Sequence, residues 1–350
     1  MTLVSDALRT QEGNLETRAQ APDRWPRAFD YDEISLVPRV VSTLPHRADA
    51  SPEVSLGSVR LGAPILGSPM PDVCGREMLG SLAEEGALGI LHRFNTVEEQ
   101  VSDLSHASEH LSGFPKPVGA AVGVTGDYQH RFEALYEAGC RIFCLDSANG
   151  AHQQVAGAIE WIKAARSDVF LIAGNVGSAQ GFQWLEEQGV DAVRVGIAGG
   201  SVCETKTETG VFIPTPHAVM EAASVRRRAL IIGDGGVRMP ADLCKLLALG
   251  ADVVMVGSAL AGTREAPGRV IVVDGKRFKI MRGAASFSVQ QAARNVTPQY
   301  VEGAETLVPY KGRVQEVLQR YLAGLRSSMS YMNARTLEEY RRNAAFIHYR

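Results

Sequence analysis

The sequence predicts a (β/α)8 barrel with its active site on the C-terminal face of the strands, extended by a β-hairpin, a mobile flap and a C-terminal helical tail. Three observations carry that prediction. Short apolar, β-branched runs occur at 63–66, 87–91, 118–122, 142–145, 169–173, 192–195, 230–232 and 253–256. Helical patterns such as GREMLGSLAEEG, YQHRFEALYEAG, HQQVAGAIEWIKAAR, AQGFQWLEEQG and PADLCKLLALG lie between them, several closing on a glycine as a helix C-cap does. Polar and glycine-rich residues follow nearly every run. Eight such alternations favour a closed barrel over an open doubly wound sheet.

Taken in order, residues 1–27 read as a polar arm with some helical character, and FDYDEISLVP (29–38) as an extended lead-in followed by a hairpin through Val54 to Val59. The strand ends then present Ser68-Pro69-Met70, His92-Arg93, Asp146 to Gly150, Gly174-Asn175, Gly196 to Cys203, Asp234-Gly235-Gly236 and Gly257-Ser258. The widest spacing between strand starts follows the sixth run. After the barrel, RVIVVDGKRFKIM (269–281) reads as a hairpin about Asp274-Gly275. Residues 282–305 are polar and of low regularity, which suits a flap (282–310) over the mouth. The tail, 311–350, returns to amphipathic helix, and 1–350 reads as one catalytic domain.

Composition limits the function classes. The chain has 350 residues, 45% apolar, with a formal charge of -3 and therefore no basic footprint for nucleic acid. No apolar run reaches membrane-spanning length, and the N-terminal stretch carries acids among its few apolar positions, unlike a signal peptide. Five cysteines (74, 140, 144, 203, 244) show no metal-site spacing. That usage points to a reducing cytoplasm.

The loop GIAGGSVCETKTETG (196–210) is the chemical centre of the chain. Its glycines bring backbone groups close to a ligand, while Cys203 offers a nucleophile and Thr205 a hydroxyl that relays a proton. A cysteine elsewhere is usually a small buried hydrophobe; here the neighbours are Gly, Ser, Glu and Lys. Asp234-Gly235-Gly236 and Gly257-Ser258, after strands seven and eight, lie where barrels bind phosphate, and Asp234 beside them suits ribose hydroxyls. Asp146 reads either as the N-cap of the next helix or as a ribose or nicotinamide contact. Arg93 alone reads as a solvated charge, and the acids and bases of the tail read as a solvated helix face.

From FDYDEISLVP onward the chain resembles the IMP dehydrogenase/GMP reductase family. The stretches that carry the likeness are SPM (68–70), LDSANG (145–150), AGNV (173–176), GGSVCET (199–205), TGV (209–211), DGGV (234–237) and VMVGSALAGTREAPG (254–268). Two features resemble the reductase branch: 91 runs to 118 without room for a regulatory insertion, and GLRSSMSYMNARTLEEYRRNAAFI (324–347) looks like a reductase tail. The resemblance implies that Cys203 attacks C2 of a purine nucleotide monophosphate, that Thr205 shuttles a proton, and that NADPH reduces the resulting thioimidate. It implies a nucleotide site of Ser68, Met70, Ser201, Asp234, Gly235, Gly236, Gly257, Ser258, Gly283, Ala285, Ser286 and Phe287. Arg93, Asp146, Ser147, Ala148, Asn175 and Arg194 fall on the cofactor side. Ser327 and Tyr331 match tail positions that reach a neighbouring subunit's cofactor in a homotetramer, and the carbonyls of Ala198, Gly200 and Cys203 match a potassium-binding turn.

Departures from the family pattern surround the base. Phe287 stands where reductases carry a Glu that works with the Thr, which leaves Glu204 as the candidate substitute carboxylate. Gln299-Tyr300 stands where dehydrogenases carry Arg-Tyr, Pro71-Asp72 replaces the family's usual Asp-Thr, Ala198 replaces a Gly in the potassium turn, and Arg194 is the dehydrogenase-like choice. The expectation is an NADPH-dependent reductase of GMP or of a modified, 7-deazaguanine type nucleotide. The alternatives are a short IMP dehydrogenase using NAD+ and a non-catalytic nucleotide-binding protein.

Overall fold

The computed structural model describes residues 26–38, 40–109, 111–113, 116–294 and 300–350, so the predicted arm lies outside it except for its last two residues. The lead-in forms a 3-10 turn at Tyr31–Glu33, capped by the Asp30 carboxylate, and then a strand β1 (Ile34–Leu36). A hairpin follows, β2 (Val54–Leu56) paired with β3 (Val59–Leu61). The eight predicted runs are all strands: β4 (Ile65–Gly67), β5 (Leu88–Leu91), β6 (Val118–Val122), β7 (Ile142–Asp146), β8 (Phe170–Val176), β9 (Ala192–Val195), β10 (Leu230–Asp234) and β11 (Val253–Val256). They pair in parallel in chain order, and β11 returns to β4 to close the barrel.

Helices cover the barrel outside: α1 (Arg76–Glu84), α2 (Val97–Ser108), α3 (Tyr128–Glu137), α4 (Gln153–Ala165), α5 (Ala179–Glu187), α7 (Thr215–Val225) and α8 (Pro240–Leu249), while the short α6 (Thr205–Thr209) lies in the loop after β9. The glycines that end the predicted helical patterns do so for a conformational reason. Gly86, Gly139 and Gly189 have φ of 72, 95 and 95°, a region where a side chain is strained.

Inside the barrel, Leu66, Leu88, Ile90, Ile142, Ile172, Ile232, Val253 and Met255 pack with Leu56, Val59 and Leu61 of the hairpin in one buried cluster. The β2/β3 hairpin therefore plugs the barrel at the face away from the glycine-rich strand ends. With that end filled by side chains, the opposite rim is where a ligand meets the barrel.

The predicted hairpin at 269–281 is present as β12 (Ile271–Val273) and β13 (Lys276–Arg282), turning at Asp274 and Gly275 with φ of 49 and 74°. The flap region is more regular than its composition implies. It contains α9 (Phe287–Arg294) and a third strand, β14 (Glu305–Pro309), paired antiparallel with β13. Polar strands on a solvated edge lack the apolar alternation by which strands are read from sequence. The tail likewise divides into α10 (Val314–Tyr331), α11 (Leu337–Asn343) and a strand β15 (Phe346–His348) that pairs with β1, joining the two ends of the described chain.

Leu56→Ala, which empties part of the barrel plug at a fully buried site, is expected to lower unfolding free energy by about 2–5 kcal/mol. Denaturant unfolding measures this, and an unchanged midpoint would show that the hairpin does not hold the barrel closed.

Candidate active site

The loop after β9 is shaped by contacts that exclude side chains. At Gly196, φ is 142° and a Cβ would fall 1.9 Å from the Asp234 carbonyl oxygen, so backbone passes over backbone here and only glycine fits. Cys203 then turns back so that its N–H donates to the Gly200 carbonyl at 3.1 Å. Its Sγ lies 3.3 Å from Thr205 Oγ1. Cys203 is partly exposed, whereas Cys74, Cys140, Cys144 and Cys244 are buried. Burial pushes the thiols of Cys74 and Cys140 up to about 12 and those of Cys144 and Cys244 up to about 11, which keeps them protonated and inert.

A carboxylate completes the chain from Cys203, and it is Glu302. Thr205 Oγ1 donates to Glu302 Oε2 at 2.7 Å. The backbone fixes this contact. Glu204 N–H donates to the Glu302 carbonyl at 2.9 Å and Ala304 N–H to the Val202 carbonyl at 2.9 Å, so the Cys203 loop runs beside residues 302–304 in a strand-like ladder, with Cys203 bridged to Gly303. Glu204, the sequence candidate for a carboxylate, contributes its backbone to that ladder. Phe287 starts α9 and is 45% exposed. Glu302 escaped the sequence reading because it lies 97 residues from Thr205; the close approach of Gly303 to Ser286 N was the only local signal, a lone glycine.

The residues assigned to the nucleotide converge on the same rim. A Cβ at Gly257 would stand 3.3 Å from Met70 Sδ and 3.7 Å from Ser68 Cβ, and one at Gly283 2.7 Å from the Val202 carbonyl. Gly235 and Gly236 have φ of 105 and 78°, and the Tyr31 hydroxyl donates to the Gly235 carbonyl at 2.8 Å. Ser286, bridged to Gly303, is fully buried, and its hydroxyl has no partner among the described residues. A buried hydroxyl beside Cys203 without a partner is a polar group awaiting one. Ala285 accepts from Gln290 Nε2 and Glu302 N–H through its carbonyl, and Ser201 is exposed at the tip of the loop.

The cofactor-side residues are bound into a charge network. Arg194, 6% exposed, donates to Asp146 Oδ1 at 2.8 Å and to Asp234 Oδ2 at 2.9 Å. Asn175 Nδ2 also donates to Asp234 Oδ2, at 2.8 Å, and to the Gly196 carbonyl at 2.9 Å. Arg93 Nε meets Asp146 Oδ2 at 3.3 Å, so it is no solvated charge. Burial by itself would raise the Asp146 carboxyl; the Arg194 and Arg93 charges outweigh it and hold the group below its ordinary value. Ser147 is locked to β8 by exchanged backbone bonds, its N–H to the Gly174 carbonyl and its carbonyl from Asn175 N–H, and Ala148 is exposed beside it. Arg194 thus acts first on protein carboxylates, not on open space at the mouth.

Three more placements bear on the sequence reading. Ala198 has φ of 59°, the left-handed conformation that favours glycine, and the Gly200 carbonyl already accepts from Cys203 N–H. Ser327 accepts from Arg47 at 2.9 Å and Tyr331, which ends α10, is 66% exposed. Asp72, 3% exposed, grips Arg282 through its backbone N–H, Nε and Nη2 at 2.9, 2.8 and 2.6 Å, tying β13 to the loop after β4.

The family model for the IMP dehydrogenase / GMP reductase domain matches residues 28–350. The chain belongs to the IMP dehydrogenase/GMP reductase family. The inosine-5'-monophosphate dehydrogenase of Borreliella burgdorferi is 31% identical, over 91% of this chain and 93% of that protein. The inosine-5'-monophosphate dehydrogenase of Nitrosopumilus maritimus is 41% identical over 70% of this chain. The chain spans about half the length of that relative and of its Aquifex aeolicus counterpart. Among solved structures, a cysteine-to-alanine variant of the GMP reductase of Trypanosoma brucei, in complex with guanosine 5'-monophosphate, superposes with a TM-score of 0.88. It is 26% identical, and the match covers 94% of this chain and 96% of that one.

Removing the central cation tests the network. Arg194→Met leaves two carboxylates facing each other in the barrel and is expected to cost about 3–5 kcal/mol at pH 7. Because the native Asp146 titrates below its unfolded value, the ion pair's contribution is present above about pH 4 and lost as the pH falls through the native pKa. Unfolding at pH 7 and well below pH 4 should therefore show the deficit narrowing with acid; a deficit that widened would reverse the assigned sign.

Proposed function

We propose that this chain catalyses the NADPH-dependent reductive deamination of a guanine-type purine nucleotide monophosphate, with Cys203 as nucleophile. The observation that carries the proposal is the hydrogen-bonded chain Cys203, Thr205, Glu302. Thr205 accepts the thiol proton as it passes its own to Glu302, which leaves a thiolate to attack C2 of the base. The exocyclic amine then departs from C2 as ammonia, taking a proton back from Glu302 through Thr205. The product of that exchange is a thioimidate between Cys203 and C2. The nicotinamide cofactor, when bound, supplies the hydride that reduces C2, and the C–S bond breaks to return Cys203.

The remaining residues would position these groups. The turns at Gly235-Gly236 and Gly257-Ser258 offer backbone donors for the phosphate, and Asp234, held by Arg194 and Asn175, accepts from the ribose. Asp146, with Arg93 and Ser147, faces the cofactor side, where a guanidinium suits a 2'-phosphate. Backbone carbonyls of Ala198, Gly200 and Cys203 would serve potassium, and Ser327 with Tyr331 would reach the cofactor of a neighbouring subunit in a homotetramer. Glu302 supplies the acid that Phe287 cannot, so GMP is restored as a substrate beside the modified guanine nucleotides. Phe287 then becomes a residue of base recognition.

The oxidative reading, IMP with NAD+, has the named relatives in its favour. Against it stands Gln299 before Tyr300, since an amide does not serve as the base that activates water. NADPH oxidation with GMP and with a panel of 7-deazaguanine nucleotides, in potassium buffer, decides between them. Turnover with IMP and NAD+ alone would overturn the proposal.

Two variants test the chain of protons. Cys203→Ala should abolish turnover and leave nucleotide binding within a few-fold, because phosphate and ribose contacts lie on other strands. Glu302→Gln should lower kcat by about 100- to 10,000-fold with little change in KM. Full activity in the Gln variant would remove Glu302 from the mechanism.

A further inference from the structure

A cavity of about 540 Å3 opens on the outer side of the strand-seven and strand-eight loops, between them and helix α10. Arg238, two residues past Gly236, and Ser258 line one side; α10 lines the other with Val317, Arg320 and Tyr321. Of the residues assigned to the nucleotide, Ser258 borders it, whereas Cys203, Ser201, Gly236 and Gly283 do not, so the cavity lies behind the strand-eight turn rather than over Cys203.

Its lining gathers three cations against a single acid, the two arginines being exposed to solvent. Arg320 has no ion-pair partner among the described residues, and the one carboxylate near Arg238 is Asp32 at 3.9 Å, a pair that is exposed on both sides. Lys311 adds a third cation, its ammonium donating to the carbonyls of Ser258 and Ala259. Glu316 is the one acid in the wall. Tyr321 is 4% exposed and its hydroxyl has no hydrogen-bond partner among the described residues. Burial pushes that phenol up to about 12, so it remains a donor at neutral pH. A buried donor without an acceptor is destabilising unless something fills the space beside it.

We propose that this cavity is a second anion site, built for an organic phosphate monoester of sugar-phosphate or mononucleotide size. Arg238 and Arg320 would take the phosphate, the Tyr321 hydroxyl an oxygen of the ester, and Val317 with the Tyr321 ring the organic body. The volume lies within the range of small-molecule sites, roughly 300–1,000 Å3, and well above what a bare phosphate fills.

The test is isothermal titration of the full chain with ribose 5-phosphate, in the presence of saturating GMP to occupy the Cys203 centre. Saturable binding is expected, weakened about 10-fold or more in Arg320→Ala and about 3- to 10-fold in Tyr321→Phe, a change that keeps the ring. Both variants should retain the turnover of the parent. The proposal is overturned by absence of saturable heat, by inorganic phosphate binding as tightly as the ester, or by binding indifferent to Arg320→Ala. Should GMP prove not to bind at Cys203, the dependence on Arg320 still reports on this cavity alone, so the two readings fail separately.

Discussion

Arg194 is a cation placed inside a barrel, and the rim is organised around the need to keep it compensated. Its strand, β9, lies beside β10, which supplies Asp234, and two strands from β7, which supplies Asp146. Asn175 of β8 adds a further bond to Asp234. Four consecutive strand ends are thereby cross-linked through side chains above the last ladder bonds. The crossing is tight: a Cβ at Gly174 would fall 2.6 Å from Arg194 Cβ, so β8 has to be bare at that point. Each partner alone would be an expensive buried charge, and together they form a rigid floor. Groups set on such a floor are held at fixed separations by protein contacts.

The reactive groups themselves come from a different source. Cys203 and Thr205 sit on the loop after β9, and Glu302 arrives on the segment that precedes β14. What joins them is a short ladder of main-chain bonds rather than side-chain packing. Asp72, from the loop after β4, anchors the near end of the same segment through Arg282. The Cys203 loop is therefore held from the barrel on one side and from the β12–β13–β14 sheet on the other.

Much of this was legible in the chain. The eight barrel runs, the glycine caps and the Asp274-Gly275 turn each depend on local chemistry, so period and residue type suffice to find them. The positions of Cys203, Thr205 and the two glycine turns at the strand ends were legible for the same reason, since the loop composition around them is local. Glu302 was not, because its role depends on the register of a polar ladder that no hydrophobic alternation marks. Arg194 was read as facing the cofactor; in a sequence, nothing distinguishes an arginine aimed at a ligand from one aimed at Asp146 and Asp234 in other strands. Strand β15 was read as helix for a related cause, since its partner β1 lies some 300 residues away and only that pairing makes it extended.

The ladder between residues 202–204 and 302–304 has a consequence for how such an enzyme tolerates change. Adjacent residues of an extended segment face opposite ways, so sliding it by a single position would turn Glu302 away from Thr205 and present Gly303 or Val301 in its stead. One residue lost between Glu302 and β14 would shift that alignment and withdraw the carboxylate from Thr205. The distance along the chain from Glu302 to β14 is thus quantised in whole residues, because two ladders, one to the Cys203 loop and one to β13, must both stay in register.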